Sequence, residues 1–202
     1  TVNVKLLNED GTTGNENINN AGMEFDDANI VNIDAGNGSS WLGTGSITGT
    51  MLDTLNISGQ GYLNSDSIYE TFNIGQNTVT GNATTTTADV VVNASAATGR
   101  IVMGLTSAGN ATTNVTTGTG ADLIDAISQA SGDTFTVSLG AGNDVFEVSA
   151  DDINFNVDGG SGVDTLYLRN NVDLDGSTAA VLTSIERIDV EGTGASQVNA
   201  SW

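Results

Sequence analysis

One short phrase occurs three times between residues 114 and 168, and it constrains the fold more than any other feature of the chain. In each copy an alternating apolar stretch runs into a Gly-x-Gly-x-Asp turn, and an apolar residue follows two positions after the aspartate. The turns begin 22 and then 20 residues apart, which is a period typical of the coils of a solenoid. The glycines and aspartates of the three copies are Gly118, Gly120 and Asp122; Gly140, Gly142 and Asp144; and Gly160, Gly162 and Asp164.

The residue types in this phrase indicate a calcium-binding turn. Glycine permits positive φ and the close approach of a second backbone, so the turn can be tight with its carbonyl oxygens on one side. The aspartate adds a hard, negatively charged ligand, and Ca²⁺ takes roughly six to eight oxygen ligands. One turn cannot supply so many, but two turns stacked ~4.8 Å apart at the same corner of successive coils can. We therefore expect ions between the first and second turns and between the second and third, bound by Asp122, Asp144 and Asp164.

The third copy carries a further glycine, Gly159, so that residues 159–167 read GGSGVDTLY. This string resembles the calcium-binding nonapeptide G-G-x-G-x-D-x-U-x of the repeats-in-toxin (RTX) family. The resemblance implies a secreted protein, exported by a type I system, that binds several Ca²⁺ ions in the turns of an all-β, right-handed parallel β-solenoid. Thr117 and Leu139 replace the leading glycine in the other copies, and the family's nine-residue half-turn period is absent. These departures favour a wider coil with one calcium corner over a two-sided β-roll.

Short apolar alternations bounded by Gly, Asn and Asp recur along the chain and predict short strands. Most are separated by about one coil length, whereas a sandwich would have turns at roughly 8–12-residue intervals. We predict an entry strand and loop over residues 1–29 and a β-solenoid over residues 30–202, with the calcium turns at 114–168. The segment 101–103 lies close to its neighbours and fits a second face of one coil. The best helical candidates are residues 122–129 and 177–184. The main predicted strand segments are 2–6, 31–33, 55–57, 72–74, 90–92, 101–103, 135–137, 155–157 and 188–190.

A second phrase, an acid followed by alternating apolar residues and a glycine, occurs at residues 52–59 and 185–192. This phrase, together with the Thr/Asn/Gly/Ala-rich sequence around it, resembles the coils of bacterial surface-layer (S-layer) proteins. That resemblance implies an extracellular cell-surface protein that self-associates in a lattice and could also contact cell-surface polysaccharide. Toxin repeats are dense and uniform, whereas the turns here are sparse, so we favour the S-layer. An RTX-type adhesin or toxin repeat domain is the alternative.

The charge balance excludes several classes of partner. The chain has 25 acidic and 4 basic residues, for a formal net charge of −21. Nucleic acid and anionic membrane surfaces require basic patches, and the four basic residues are scattered. No apolar run approaches the roughly 20 residues of a membrane span. Self-repulsion of this size opposes compaction, and divalent cations would relieve it. Because the chain begins at Thr1 without a recognisable export signal, we expect an internal or C-terminal piece of a larger polypeptide.

Catalysis is not expected from this composition. A β-helical lyase or epimerase acting on polysaccharide needs a base near its metal-binding acids. The chain has no histidine and no cysteine, so nucleophilic and imidazole-based mechanisms lack their groups.

Three weaker turns keep part of the calcium phrase. They lie at residues 36–42, 59–61 and 192–196, and each has serine or no acid where the aspartate would stand. We favour turns without an ion over weaker calcium sites, and Asp34, just before Gly36, leaves a site at residues 36–42 as the alternative.

Overall fold

The computed structural model describes residues 1–5, 16–19, 22–25, 27–34, 40–43, 46–48, 53–59, 73–74, 90–106, 112–128, 134–148, 154–169 and 180–191. These residues form short strands joined by turns and bends, and no helix occurs among them. Accordingly, nothing in this part of the chain is a helix that could cross a membrane. The strands are Val2–Lys5 (β1), Glu16–Asn19 (β2), Gly22–Glu24 (β3), Ile30–Asp34 (β4), Ser40–Gly43 (β5), Ser46–Thr48 (β6), Thr54–Gly59 (β7), Asn73–Ile74 (β8), Val90–Ala97 (β9), Val102–Thr106 (β10), Thr112–Thr116 (β11), Leu123–Ser128 (β12), Thr134–Ser138 (β13), Val145–Val148 (β14), Asn154–Asp158 (β15), Thr165–Leu168 (β16), Ala180–Thr183 (β17) and Arg187–Val190 (β18).

The strands form two long parallel sheets. The first sheet has the order β1-β4-β7-β9-β11-β13-β15-β17, and the second has the order β18-β16-β14-β12-β10-β8-β6-β3. From β9 onward, successive strands alternate between the two sheets, so the chain winds in coils and each strand pairs with strands one coil away. Parallel strands need a crossover, and here the crossover is the strand of the opposite sheet. The predicted all-β parallel solenoid is confirmed.

The core lies between the two sheets because each strand alternates apolar and polar residues. In β13, Phe135 and Val137 are buried while Thr136 is exposed. Register stacks Phe135 on Phe155 of the next coil. Phe155 also contacts Phe146 of the second sheet, with ring centroids 5.8 Å apart at 55°, a tilted arrangement that aromatic pairs favour. The core is therefore a continuous column of apolar side chains along the solenoid axis.

The two segments named as the best helical candidates contain strands instead. Residues 123–128 form β12, which pairs in register with β10 and β14, and residues 180–183 form β17, which pairs with β15. Both segments have apolar spacings that also fit a helix, but stacking on strands of the adjacent coil decides their conformation. Between residues 90 and 191 each described coil gives one strand to each long sheet, and the Gly-x-Gly-x-Asp turns lie on the corner that leads from the first sheet to the second. Segment 101–103 lies on the second face of its coil, as predicted, because β10 begins at Val102.

The first 29 residues contribute to the same architecture. β1 pairs with β4 in the first sheet, and β3 pairs with β6 in the second. Between them in the chain, β2 pairs with β5 in a short third sheet. The described parts of this region therefore stack as coils like those that follow.

Candidate metal centre

The three Gly-x-Gly-x-Asp turns lie directly on top of one another at one corner of the solenoid. They occupy residues 117–122, 139–144 and 159–164, each between a strand of the first sheet and a strand of the second. The flanking strands are in register, so the turns are also. The Ala141 N–H donates to the Gly118 carbonyl at 2.9 Å, and the Ser161 N–H donates to the Gly140 carbonyl at 2.9 Å. The sequence-predicted site residues are thus brought together as one stack.

Glycine is required where the stacked backbones touch. Gly140 and Gly160 have φ of 82° and 86°, a region that side-chain-bearing residues rarely enter. A Cβ at Gly160 would also overlap the carbonyl group of Gly140 in the turn below. The spacing of glycines in the phrase therefore reflects close packing of one turn on the next.

The three aspartates form a hydrogen-bonded column that we call the aspartate ladder, comprising Asp122, Asp144 and Asp164. Each is at most 1% exposed. The Oδ1 atom of each accepts a backbone N–H from the preceding coil. The donors are Ile101 to Asp122 at 2.7 Å, Asp122 to Asp144 at 2.7 Å and Asp144 to Asp164 at 2.9 Å.

The second carboxylate oxygen of each ladder residue is unsatisfied by protein groups. Oδ2 of Asp122, of Asp144 and of Asp164 is buried without a hydrogen-bond partner. Leaving a buried charged oxygen unpaired is costly, so each Oδ2 favours a proton, a water molecule or a cation as its partner. Hard oxygen ligands that are short of a partner suit Ca²⁺. Within the described part of the chain, no three acidic groups converge on one point. An ion here would therefore draw on neighbouring turns, with backbone carbonyls and water completing its ligands.

The electrostatics of the ladder disfavour its ionised form in the absence of a counter-charge. Burial raises the pKa of Asp144 to about 7, and the neighbouring charges of Asp122 and Asp164 also raise it, while the N–H of Asp122 lowers it. Burial likewise raises the pKa of Asp122, although hydrogen bonding from Ile101, Thr117 and Gly118 and the Arg100 charge lower it. Burial also raises the pKa of Asp164, and the N–H of Asp144 lowers it. Desolvation and like charges act in the same direction, and a bound divalent cation would oppose both.

The residue just before each Gly-x-Gly-x-Asp phrase differs between the three turns: it is Thr117, Leu139 or Gly159. A Cβ at Gly159 would lie 2.7 Å from Asp164 Oδ2, so the third turn admits only glycine beside its carboxylate. In the first turn, Thr117 Oγ1 donates to the Leu139 carbonyl at 2.6 Å. Leu139 itself is fully buried. In the two turns without a glycine at this position, Thr117 therefore joins one turn to the next and Leu139 fills the core.

The residues at the two ends of the ladder were not predicted from the sequence. At one end, Ile101 takes the aspartate's place in the register and donates its N–H to Asp122. At the other end, the Asp164 N–H donates to Oε2 of Glu186 at 2.8 Å, so Glu186 continues the column. The turn before Glu186 is shorter, and Ser184 adopts φ of 52° there. The signal for Glu186 lay in the second repeated phrase, which was interpreted only as a strand.

A separate polar cluster lies on the outward face of the second sheet. Arg169 Nε is 2.6 Å from Glu147 Oε1 and 3.7 Å from Glu191 Oε2. The contact between Arg169 and Glu147 is a close ion pair and not an aligned hydrogen bond, since neither Arg169 Nε nor Glu147 Oε1 has a hydrogen-bond partner. Asp125 is in register with Glu147, and its Oδ1 is buried without a partner. Burial and the Glu147 charge, opposed by the Arg169 charge, together raise the pKa of Asp125 to about 7.

The weaker turn candidates fall largely outside the described residues. Of residues 36–42, only those from Ser40 onward are described, and they belong to β5. Gly59 ends β7 with φ of 103°, while residues 60–61 and 192–196 are not described.

Comparisons of the chain with protein-family models, with curated proteins and with solved structures found no match. The functional argument therefore depends on the geometry of the stacked turns.

Proposed function

We propose that this chain is a structural calcium-binding segment of a secreted bacterial cell-surface protein, namely a subunit of an S-layer lattice whose folding and assembly depend on Ca²⁺. The observation that supports calcium binding is the aspartate ladder, in which three fully buried carboxylates each keep one oxygen without a partner. The residues that would hold the ions are Asp122, Asp144 and Asp164, with backbone oxygens of the turns that contain Gly118, Gly120, Gly140, Gly142, Gly159, Gly160 and Gly162.

Calcium binding of this kind would be coupled to folding. The turns present their carboxylates together only when the coils are stacked, so binding free energy contributes to folding free energy. Extracellular calcium modules bind at roughly 10⁻⁴–10⁻³ M. At that affinity the chain stays unfolded in a calcium-poor cytosol, as export requires, and folds outside the cell.

The lattice assignment is supported by the sparse distribution of the turns and by the two long, flat sheets that flank them. Neutralising the ladder closes the coils, and the closed coils present regular faces that can associate. An RTX-type adhesin or toxin repeat domain would share the calcium-linked folding but not the lattice. Electron microscopy of the chain in millimolar Ca²⁺ distinguishes the two, because only a lattice subunit gives two-dimensional crystals.

The calcium ladder is tested by isothermal titration of the wild type and of Asp122→Asn, Asp144→Asn and Asp164→Asn. Asparagine keeps Oδ1 as an acceptor for the ladder hydrogen bond and removes the charged ligand. Asp144→Asn should lose two bound ions because it lies between two neighbours, and each of the other two variants should lose one.

Asp27→Asn is the matched control, since Asp27 is exposed and its replacement removes the same charge. Equal losses in the three ladder variants would rule out sharing of ions between turns. A wild-type chain whose circular dichroism and heat of titration do not respond to Ca²⁺ would rule out calcium binding altogether.

A further inference from the structure

The outward face of the first sheet is nearly uncharged, although the chain carries a net charge of −21. The charged residues of its eight strands are Lys5, Asp34 and Asp158, and each is the last residue of its strand. By contrast, the outward positions of β12, β14 and β18 in the second sheet include Asp125, Glu147 and Asp189. With Glu24 and Arg187 included, the strands of the second sheet sum to a formal charge of −3, against −1 for the strands of the first sheet.

Strand register arranges the central outward residues of the first sheet in two columns, which we call the neutral face. The first column is Ile30, Thr54, Val91, Asn114, Thr136, Asn156 and Val181, and the second is Asn3, Asn32, Asn56, Asn93, Thr116, Ser138, Asp158 and Thr183. Two shorter columns flank them, Lys5, Asp34 and Ser58 on one side and Thr112, Thr134 and Asn154 on the other.

Exposed apolar side chains are concentrated in the first column. Ile30, Val91 and Val181 are 37%, 38% and 55% exposed. The other large apolar side chains that are this exposed in the described residues are Val163, in a calcium turn, and Val190, in the last strand. A partner that covers these three aliphatic side chains would bury apolar surface without having to desolvate charged groups in the same column.

The second column is held in place before any partner arrives. Asn32 Nδ2 donates to Asn3 Oδ1 at 2.6 Å, and Asn56 Nδ2 donates to Asn32 Oδ1 at 2.7 Å. A register shift between β7 and β9 interrupts the regular sheet, and the adjoining strands line a shallow groove of about 510 Å³ with these amides and Asn93. Ordered side chains lose little entropy on binding, so the face is preorganised for contact.

We infer that the neutral face is the surface on which a second copy of this chain docks. Two copies that each carry −21 repel one another, and the neutral face opposes few carboxylates, because Asp158 is the one acidic residue in its two columns. Eight strands at ~4.8 Å make it about 34 Å long, and strands of about five residues make it about 16 Å wide. A face of that size buries on the order of 1,100 Å² between two copies, at the lower end for a specific interface. Such a contact suits a repeated assembly, where many weak contacts act together.

The inference rests on the self-association in the proposed function and is tested by sedimentation velocity of the 202-residue chain in saturating Ca²⁺. Asn114→Asp places a carboxylate of the same shape at the centre of the neutral face. The wild type should associate reversibly, and Asn114→Asp should weaken association about tenfold because like charges would oppose one another across the interface. Arg187→Gln adds the same unit of negative charge on the second sheet, where Arg187 is exposed, and should leave association unchanged.

The alternative outcomes are distinct. If the wild type associates and Asn114→Asp associates equally well, or if both variants lose association equally, the neutral face is not the docking surface, whereas the lattice proposal stands. If the wild type binds Ca²⁺ and stays monomeric at all concentrations, both the docking surface and the lattice are wrong. If a monomeric wild type is retarded in gels containing dextran and Asn114→Asp is not, the occupant is a neutral glycan and the inference is wrong.

Discussion

At the scale of single residues, each aspartate of the ladder divides two tasks between its two oxygens. Oδ1 of Asp144 accepts the Asp122 N–H at 2.7 Å and so aligns one coil on the next. Oδ2 of the same residue has no protein partner. The first interaction is structural and needs no metal, whereas the second is where a cation would relieve the cost of burying the charge. Replacement by asparagine separates the two contributions, because it keeps the first and removes the second.

Gly160 should tolerate no side chain. Its φ of 86° is strained for alanine, and a Cβ would overlap the Gly140 carbonyl group, which belongs to the backbone and cannot rotate away. Gly160→Ala should lower the free energy of unfolding by about 2 kcal/mol or more, measured by urea denaturation in saturating Ca²⁺. Ser161→Ala is the control, since Ser161 is exposed. Equal stability of the two variants would contradict the close stacking of the turns.

The pH dependence of stability should include a contribution from Asp125. Its pKa in the folded state is raised to about 7 from an ordinary value of 3.8, so the folded state binds the proton more tightly than the unfolded state. Protonation of Asp125 therefore favours the folded state. This stabilisation is fully present below pH ~4 and is lost as the pH rises through about 7. Glu147 from β14 and Arg169 after β16 are the charges that act on it, while Gly104 of β10 is its register partner on the other side.

Asp125→Asn should therefore raise stability at pH 8 by on the order of 2 kcal/mol, allowing for partial solvent exposure, and should change it little at pH 4. Chemical denaturation at the two pH values in saturating Ca²⁺ measures the difference. Asp27→Asn controls for the change in net charge, and a pH-independent effect of Asp125→Asn would show that its burial is not the cause.

At the scale of elements, the sequence predicted strands well where apolar alternation and turn residues agree. Residues 135–137 and 155–157 lie within β13 and β15 because Phe and Val alternate with Thr and Asn between glycine-rich turns. The predicted helix at 122–129 failed because its apolar residues also fit a helical spacing, and the register with neighbouring coils cannot be read from local spacing.

The stacking of the three turns could be predicted from the sequence about as well as the strands. The glycines and aspartates of the three turns were identified from their repetition, and the structure stacks them as expected. The role of Glu186 at the end of the ladder was not identified, because it follows a shorter turn without the Gly-x-Gly phrase. The other copy of its phrase, residues 52–59, contains β7 of the first sheet, so the phrase indicates a strand and does not specify a corner.

The packing of the two sheets should depend strongly on Phe155. It is 1% exposed and touches Phe146 of the opposite sheet, so Phe155→Ala leaves a cavity between the two sheets. The expected loss is about 3–5 kcal/mol in the free energy of unfolding, measured by denaturation in saturating Ca²⁺. Asn156→Ala, in the same strand but with an exposed side chain, should cost far less. Similar losses for the two would contradict the assignment of inward and outward faces.

At the scale of the whole molecule, the net charge opposes the architecture. A net charge of −21 favours expansion, and the solenoid places three of the carboxylates in a buried column. The two components of this repulsion differ in range. Repulsion among exposed acids extends through water and is screened by any salt, whereas repulsion within the buried ladder is screened little by mobile ions.

Calcium and sodium should therefore have different effects on the chain. Raising NaCl to ~0.5 M screens charges beyond about 4 Å, so it should reduce the radius of gyration of the calcium-depleted chain in small-angle scattering without producing the β-sheet signal in circular dichroism. Ca²⁺ at a few millimolar should produce both, since it also supplies the partner that Oδ2 of the ladder residues lacks. Mg²⁺ at the same concentration controls for valence, and it should be less effective because it demands a smaller, more regular set of ligands. Complete folding in NaCl alone would mean that general screening, and not ion binding at the ladder, stabilises the solenoid.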